Sequence, residues 1–185
     1  ITTAEGGMVV TNNGQIARKI QLLRNHGIKK NGFPGKLVNT GYNYRMSDVS
    51  AALGIAQMKK LDIIIQKHQA IAERYHRNLK QDRRFQLPFP GKKQRHTYQS
   101  YVILTKNMET RNHLMHILKK NGIESGMGTY ALSMQKPYYH YTRRSPSLMN
   151  SQKAFANSLA LPLYADLKKS DVDTITKLIL EAKCP

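Results

Sequence analysis

The sequence lacks the features of disulfide-rich, zinc-binding, membrane-spanning and secreted proteins. Its 185 residues include a single cysteine, Cys184, which excludes an internal disulfide framework and a zinc site built from several cysteines. No apolar run approaches the roughly 18 residues that a membrane helix needs. The first residues, from Ile1 to Gly7, contain neither the basic nor the apolar segment of a signal peptide. We therefore expect a cytoplasmic protein without a membrane partner.

Acidic residues are scarce, because 11 Asp and Glu stand against 30 Lys and Arg and leave a net charge of +19. No acid occurs between Glu5 and Asp48, or between Glu124 and Asp166. Such stretches attract partners that carry phosphate. A solvated basic surface, a nucleic-acid interface and a site for a small phosphorylated ligand all fit this charge, so motifs have to separate them.

Hydrophobic residues make up 40% of the chain, enough for a folded core. Apolar, β-branched runs predict strands over residues 7–11, 98–104 and 123–127. Apolar residues at helical spacing predict helices over residues 16–24, 47–80, 110–121 and 151–159, and from residue 170 onward. A straight helix over 47–80 would reach about 50 Å, so we expect it to bend or to join two domains. This order indicates an α+β fold or the tail of an α/β protein.

Capping residues support two of these helices. Ser47 is expected to cap the long helix, with Asp48 in its first turn, where the helix dipole favours an acid. Ser170 and Asp173 have the spacing of a capping box, which predicts the start of the last helix.

Two short patterns that suggest cofactor or metal chemistry are rejected. Residues 126–131 fit a G-x-G-x-x-A pattern, but Pro137 would stop the helix that a dinucleotide site requires, and the next acid is Asp166. His113 and His116 lie three apart without further ligands nearby, so no metal site is expected.

Three ordered segments carry the most specific signal. They are Ile1-Thr2-Thr3-Ala4-Glu5-Gly6-Gly7-Met8-Val9, Gly41-Tyr42-Asn43-Tyr44-Arg45-Met46-Ser47-Asp48 and Leu161-Pro162-Leu163-Tyr164, with Arg24-Asn25-His26-Gly27 between the first two. In order and approximate spacing this set resembles the sugar aminotransferases of the DegT/DnrJ/EryC1/StrS family, which are fold-type-I enzymes that use pyridoxal 5'-phosphate. The similarity continues through residues 96–102 and 128–132, so it spans nearly the whole chain.

The resemblance implies a fold and a domain organisation. Residues 1–80 are expected to form the edge of the large cofactor-binding domain with a long connecting helix. Residues 81–185 are expected to form the C-terminal small domain, a small antiparallel sheet covered by helices.

The resemblance also implies a reaction. Family members transfer an amino group, usually from glutamate, to a keto-deoxy sugar carried on a nucleotide diphosphate, in the synthesis of surface polysaccharides and similar glycans. The lysine that forms the internal aldimine with the cofactor precedes the Ile1-Thr2-Thr3 segment in relatives by about two positions. No catalytic residue is therefore assigned within the chain, which is expected to be the later part of a longer enzyme, inactive on its own.

Five residues keep a role by the resemblance. Asn43 corresponds to an asparagine that reaches the cofactor phosphate of the other subunit of a homodimer; the alternative is that it caps its own loop. Arg45 suits bidentate binding of the substrate diphosphate, and its alternative is a salt bridge or a solvated side chain. Tyr44 and Tyr130 are candidates for sugar contacts. Ser133 stands where many relatives have histidine, a departure that affects the substrate and any proton transfer at this position.

A different class of function stays open beside the enzyme. The basic stretches 17–45 and 136–153 would suit a module that binds RNA or another polyanion, with the tyrosines of 130–141, Arg143 and Arg144 stacking on bases. A noncatalytic remnant that only associates with a partner is a third class. The motifs favour the enzyme, so nucleic acid is not the expected partner.

Overall fold

The computed structural model describes residues 1–29, 34–91, 93–142 and 148–183. Helices and small antiparallel sheets make up the fold, which confirms the α+β class. The chain divides into two compact units, Ile1–Asp62 and a second unit from Ile63 onward. Arg143 and Arg144 of the polyanion hypothesis, and Cys184, lie outside the described residues.

Helix α1 (Gly14–Leu23) opens the regular structure of the first unit. It begins at Asn13, whose side chain accepts hydrogen bonds from the backbone N–H groups of Gln15 and Ile16 and so satisfies two of the free donors of the first turn. The predicted helix over 16–24 is confirmed. Strands β1 (Ile28–Lys29) and β2 (Lys36–Leu37) follow as a short antiparallel ladder.

The predicted strand over residues 7–11 is wrong, because these residues pair with no other strand in the described part of the chain. Met8 and Val10 are more than 80% exposed. A strand needs a neighbour for its backbone hydrogen bonds, and the described residues of the first unit supply none here.

The predicted long helix is two helices, α2 (Asp48–Met58) and α3 (Leu61–Leu79), separated by Lys59 and Lys60. Ser47 caps α2 as predicted, since its hydroxyl accepts a hydrogen bond from Ser50 N–H at 3.1 Å. The remaining elements belong to the second unit.

Strands β3 (Tyr101–Leu104), β4 (Gly126–Met127) and β5 (Ser158–Leu161) form an antiparallel sheet in the order β3-β5-β4. Tyr101 pairs with Leu161, and Gly126 pairs with Ala160. The central strand β5 was missed, because helix α6 (Met149–Asn157) leads directly into it and the local pattern suggests a helix to residue 159. Pairing with β3 decides the conformation of Ser158 and Leu159.

Helices α3, α4 (Met108–Lys120) and α7 (Lys169–Glu181) complete the core with this sheet, and α5 (Tyr139–Thr142) is a single turn. Fully buried side chains come from all of these layers. They include Tyr75, Leu79, Ile103, Leu114, Leu118, Leu159, Val172 and Ile179. The second unit therefore has a continuous hydrophobic core.

Helix α3 belongs with this core, to which it contributes Ile71, Ala72, Tyr75 and Leu79. The contact boundary accordingly falls at residue 62, whereas the sequence placed the division at residues 80–81. The assignment of the two portions to a large and a small aminotransferase domain stays a prediction.

The predicted capping box at the start of α7 is wrong. Lys168 is the N-cap residue and makes no side-chain capping hydrogen bond, while Ser170 lies inside the first turn. The Asp173 carboxylate instead accepts hydrogen bonds from Arg74 Nε at 2.7 Å and from Asn78 Nδ2 at 2.9 Å, both on α3. The Asp173 carboxylate therefore forms an ion pair with Arg74 on another helix, although the local sequence pattern predicts that it caps α7.

Of the described helices, none has both the length and the apolar composition that crossing a bilayer requires.

Candidate functional site

Two of the motif segments lie side by side in the first unit. The strand-like segment around Asn43 runs beside the turn that ends α1, and Asn25 and Asn43 form an antiparallel bridge. Tyr42 N–H donates to Leu23 O at 2.7 Å, and Tyr44 N–H donates to Arg24 O at 2.9 Å. These bonds fix the backbone on both sides of Asn43, so the fold holds its side chain at a defined position.

Two glycines permit this close approach. Gly27 has a φ of +71°, and a Cβ atom there would lie 1.8 Å from Asn39 O. A Cβ atom on Gly41 would lie 2.2 Å from Gly27 N. Since real atoms do not approach so closely, any side chain at either position would push the two segments apart.

The first motif segment contacts α2 in the same unit. Thr2 N–H donates to Gln57 Oε1 at 3.4 Å, and a Cβ on Gly54 would lie 3.1 Å from Thr3 Cγ2. Gly54 and Gln57 both lie on α2, the helix that begins at the end of the second motif segment. Both motifs therefore belong to one structural arrangement.

Arg45 connects the two asparagines of the bridge. Its Nε donates to Asn43 Oδ1 at 2.9 Å, and one terminal nitrogen lies 3.5 Å from Asn25 Oδ1. Sequence reasoning gave Asn25 no role, although it stands in the Arg24-Asn25-His26-Gly27 segment. Its part as the second acceptor of Arg45 depends on the pairing of two segments some 20 residues apart.

The donors of this cluster suit a phosphate group. Because Asn43 Oδ1 accepts from Arg45, the amide NH2 of Asn43 remains as its donor side. Among the described residues Arg45 forms no ion pair, and no carboxylate occurs in the acid-free stretch that contains it. A neutral amide donor beside a guanidinium with further N–H groups is the donor set that binds phosphate oxygens.

Tyr42 and Tyr44 flank Asn43 and stack on each other, with ring centroids 5.0 Å apart and planes 10° from parallel. Tyr44 remains 71% exposed. The pair presents an aromatic surface from the same segment that carries Asn43 and Arg45, so a ligand held by the cluster has a ring face next to it.

Tyr130 and Ser133 belong to the second unit, on the segment that leaves β4. Gly128 permits this exit, because a Cβ there would lie 2.3 Å from Val102 Cγ1. The ring centroids of Tyr130 and Phe155 lie 6.0 Å apart, and Tyr130 is 63% exposed. Ser133 lies in a turn of 3-10 helix, and its buried hydroxyl has no hydrogen-bond partner among the described residues. An unpartnered buried hydroxyl is uncommon in proteins and marks this position as a candidate contact.

The pKa shifts in the second unit arise from structural contacts. Hydrogen bonds from Arg74 and Asn78 lower the pKa of Asp173 to about 2. Arg84 lowers the pKa of Asp82, and burial raises the pKa of the Tyr75 and Tyr101 hydroxyls. Asp173 joins α7 to α3, and Asp82 pairs with Arg84 in the turn after α3. Tyr75 and Tyr101 lie in the hydrophobic core, so all four groups have structural roles. Within the described part of the chain, no three His, Cys, Asp or Glu residues are grouped so as to hold a metal ion.

Comparison with known proteins gives a consistent result. A sequence model described as the DegT/DnrJ/EryC1/StrS aminotransferase family matches residues 1–180. The UDP-4-amino-4,6-dideoxy-N-acetyl-beta-L-altrosamine transaminase of Helicobacter pylori is 30% identical over 184 residues, which are 98% of this chain and 49% of that protein.

Solved structures of aminotransferases are also similar to this chain. Helicobacter pylori PseC, an aminotransferase involved in the biosynthesis of pseudoaminic acid, superposes with a TM-score of 0.85 at 29% identity, over 98% of this chain and 49% of its own. A DegT DnrJ EryC1 StrS aminotransferase from Brucella abortus gives a TM-score of 0.79 at 26% identity, over 92% of this chain and 44% of its own. The chain spans about half the length of the relatives it matches.

Proposed function

The chain belongs to the DegT/DnrJ/EryC1/StrS aminotransferase family, and from this premise we propose that it forms part of a sugar-nucleotide aminotransferase. The reaction is the transfer of an amino group from glutamate to a keto-deoxy sugar linked to a nucleotide diphosphate. Relatives that match along the chain include a transaminase named for a UDP-linked sugar. The family implies pyridoxal 5'-phosphate, which when bound supplies the electron sink for amino-group transfer.

The observation that carries this proposal is the cluster of Asn43, Arg45 and Asn25. Arg45 occupies the oxygen of the Asn43 amide, so the amide NH2 is directed to donate to another acceptor. We assign that acceptor as a phosphate oxygen of the cofactor bound to the other subunit of a homodimer. Arg45, which keeps further N–H donors, binds the diphosphate of the sugar nucleotide.

Tyr44, Tyr130 and Ser133 are proposed to contact the sugar. The two tyrosines are more than 60% exposed and offer both a ring face and a hydroxyl. The buried Ser133 hydroxyl offers a donor and an acceptor that the described residues leave unused.

The remainder of the enzyme is proposed to cover the first unit. Gly27 is the only buried residue among the described residues of this unit, and α2 buries none of its side chains. Its apolar residues Val49, Leu53, Ile55 and Met58 are each more than 40% exposed. Since relatives are about twice as long, we infer that their other half corresponds to a segment that packs on α2 and supplies the cofactor lysine.

The substitution Asn43→Asp tests the cofactor assignment in the longer protein that this proposal implies, in which the chain is joined to the other half of the enzyme. It keeps the side-chain size but replaces the NH2 donor with a carboxylate that repels phosphate. We expect the Kd for pyridoxal 5'-phosphate to rise at least about tenfold, which is roughly 1.4 kcal/mol. The exposed Asn12→Asp is the charge-matched control and should leave the Kd within about twofold. Absorbance of the bound cofactor reports the Kd, and equal effects of the two variants would refute the assignment.

Mixing two proteins that are each inactive at limiting cofactor tests the shared site. One carries Asn43→Asp, and the other lacks the cofactor lysine. If Asn43 acts across the dimer, a mixed dimer contains one intact site and regains up to half of the activity at limiting cofactor. If Asn43 acts within its own subunit, no mixed dimer has an intact site and the mixture stays inactive. The assay is glutamate-dependent amination of a UDP-linked keto sugar.

A polyanion-binding module remains the second candidate, supported by the charge of +19. Binding to a generic polynucleotide, titrated with salt, separates the two functions. A steep salt dependence with nanomolar affinity at physiological salt favours the module, whereas micromolar or weaker binding favours the enzyme.

A further inference from the structure

An open basic cavity of about 1020 Å³ lies at the surface of the second unit. Its walls are the turn that follows α3, the end of β3, one side of α6 and the last turn of α7. None of the five candidate site residues lines it. The volume is in the range of pockets that bind small molecules, so the cavity is a second place at which the chain could hold a ligand.

Three exposed cations line this cavity from three different segments. They are Arg83 on the turn, Lys106 between β3 and α4, and Lys153 on α6. None of the three forms an ion pair within the described ranges. Three cations that line one cavity without a protein anion favour binding of an anionic ligand.

The one acid that lines the cavity is already neutralised. The Asp82 carboxylate accepts from Arg84 Nε at 2.9 and 3.0 Å and from Arg84 Nη2 at 2.6 Å. This contact lowers the pKa of Asp82, so the pair stays ionised at neutral pH. Asp82 therefore leaves the charges of Arg83, Lys106 and Lys153 uncompensated.

Arg84 also makes the cavity wall rigid. Its guanidinium donates to Ala182 O at 2.7 Å and to Leu180 O at 3.1 Å, at the end of α7 where carbonyl groups lack helical partners. The guanidinium lies 5.1 Å from the centre of the Phe85 ring. Beside it, Gln86 and Leu104 exchange two backbone hydrogen bonds of 2.8 and 2.9 Å. A cavity with a fixed wall loses less entropy when it binds a ligand.

The cavity also has an apolar part. Phe85, Leu104 and Leu180 line it, and Phe85 is 7% exposed. The amide side chains of Gln81 and Gln86 are exposed beside this surface. Apolar carbon next to amides suits a planar heterocycle with polar edges, whereas the cations suit phosphate.

We propose that the basic cavity binds a nucleoside polyphosphate, separately from the candidate aminotransferase site. Arg83, Lys106 and Lys153 contact the phosphates, and the base lies on Leu104 and Leu180 beside Gln81 and Gln86. The ligand combines the two chemistries that the cavity combines, which inorganic phosphate does not.

Calorimetric titration of the 185-residue chain with ATP at physiological salt tests this proposal. Replacing the three cations by Arg83→Gln, Lys106→Gln and Lys153→Gln together should raise the Kd for ATP at least tenfold. The control triple Lys119→Gln, Lys120→Gln and Lys168→Gln removes the same charge from exposed residues at the opposite ends of α4 and α7, about 18 Å along each helix. It should change the Kd less than twofold.

Several results would overturn the proposal. If both triple variants weaken ATP binding equally, binding depends on the net charge of the chain and not on this cavity. Equal affinity for ATP and tripolyphosphate would show that the base contributes nothing to binding. If a single-stranded oligonucleotide of about 12 residues binds more tightly than ATP and in a salt-sensitive way, the ligand of the cavity is a polyanion and not a nucleotide.

Two further measurements complete the test. The first does not depend on whether a variant folds, and the second separates the cavity from the candidate aminotransferase site. In the unaltered chain, ATP should slow amide exchange at residues 81–86 and 104–106, and exchange slowed only elsewhere would contradict the site. Combining Asn43→Ala with Arg45→Ala should leave the Kd for ATP unchanged, and a loss of binding would assign the nucleotide to the candidate site instead.

Discussion

Gly27 and Gly41 determine whether the motif residues of the first unit meet. The turn after α1 and the segment before Asn43 cross with backbone atoms in direct contact, and both positions lack room for a Cβ atom. The side chains that resemble a phosphate site, those of Asn43 and Arg45, lie two and four residues beyond Gly41. The two glycines permit the close approach of the segments, and the side chains of Asn43 and Arg45 supply the hydrogen-bond donors.

Substituting Gly41→Ala should therefore damage the site without touching its polar groups. The added Cβ would lie 2.2 Å from Gly27 N and 2.6 Å from His26 C, so the two segments must separate. We expect a loss of at least about 2 kcal/mol of stability and weaker cofactor binding in the longer protein. Gly7→Ala is the matched control, because no atom lies within 4 Å of a Cβ at Gly7. Thermal unfolding and cofactor titration measure both effects, and similar behaviour of the two variants would contradict the packing argument.

At the scale of elements, α3 and α7 are joined by a polar network as well as by the core. Asp173 on α7 is paired with Arg74 on α3 and accepts from Asn78, which also donates to Thr176 at 3.0 Å. Lys67 and Asp166 form a second pair, 2.8 Å apart, with more exposed side chains. Solvent screens exposed pairs more strongly, so the network around Asp173 should contribute more to stability.

The pH dependence of stability should report this network. The pKa of Asp173 in the folded chain is about 2, below the value near 3.9 of an unfolded aspartate. A lowered folded pKa gives stability that is present above about pH 4 and is lost as the pH falls towards 2.

Asp173→Asn should lower the thermal unfolding midpoint at pH 7, and the difference from the parent chain should shrink as the pH falls from 4 to 2. Asp166→Asn, which breaks the more exposed pair, should have a smaller effect at every pH. Unfolding followed by circular dichroism measures both variants. A constant difference for Asp173→Asn across this pH range would show that the ion pair is not its cause.

At the scale of the molecule, the two units differ in how much they bury. The second unit has a core of side chains from α3, α4, α7 and the sheet. The first unit has one buried residue, Gly27, among those described, and apolar side chains such as Met8, Val49 and Ile55 remain exposed. Apolar burial is the main stabilising contribution to folding, so the two units should differ in stability in the 185-residue chain.

Hydrogen exchange should separate the two units. We expect slow amides within residues 71–79, 101–104, 114–118, 158–161 and 172–179, where the buried positions concentrate. Residues 1–29 and 34–62 should exchange faster in the 185-residue chain, because few buried contacts oppose local opening. In the longer protein the same residues should become protected. Equal protection of both units in the 185-residue chain would contradict this picture.

The sequence by itself determined the features that depend on neighbouring residues. The predicted cap at Ser47 acts within one helical turn, and Gly122 ends α4 with a φ of +72°. The ordered motifs around Asn43 likewise identified the family, because residue identity and spacing are retained in the linear pattern. The length of the predicted helix over 47–80 indicated a bend or a connection between domains, and the structure places a break at Lys59 and Lys60.

Only the tertiary structure decided the features that depend on distant partners. The first two residues of strand β5 lie where a helix was predicted, because β3 supplies their hydrogen bonds. The Asp173 carboxylate pairs with Arg74, 99 positions away, instead of capping α7. Asn25 meets Arg45 only because two glycines let their segments touch. The free energies of these contacts come from groups far apart in the chain, so local sequence does not contain them.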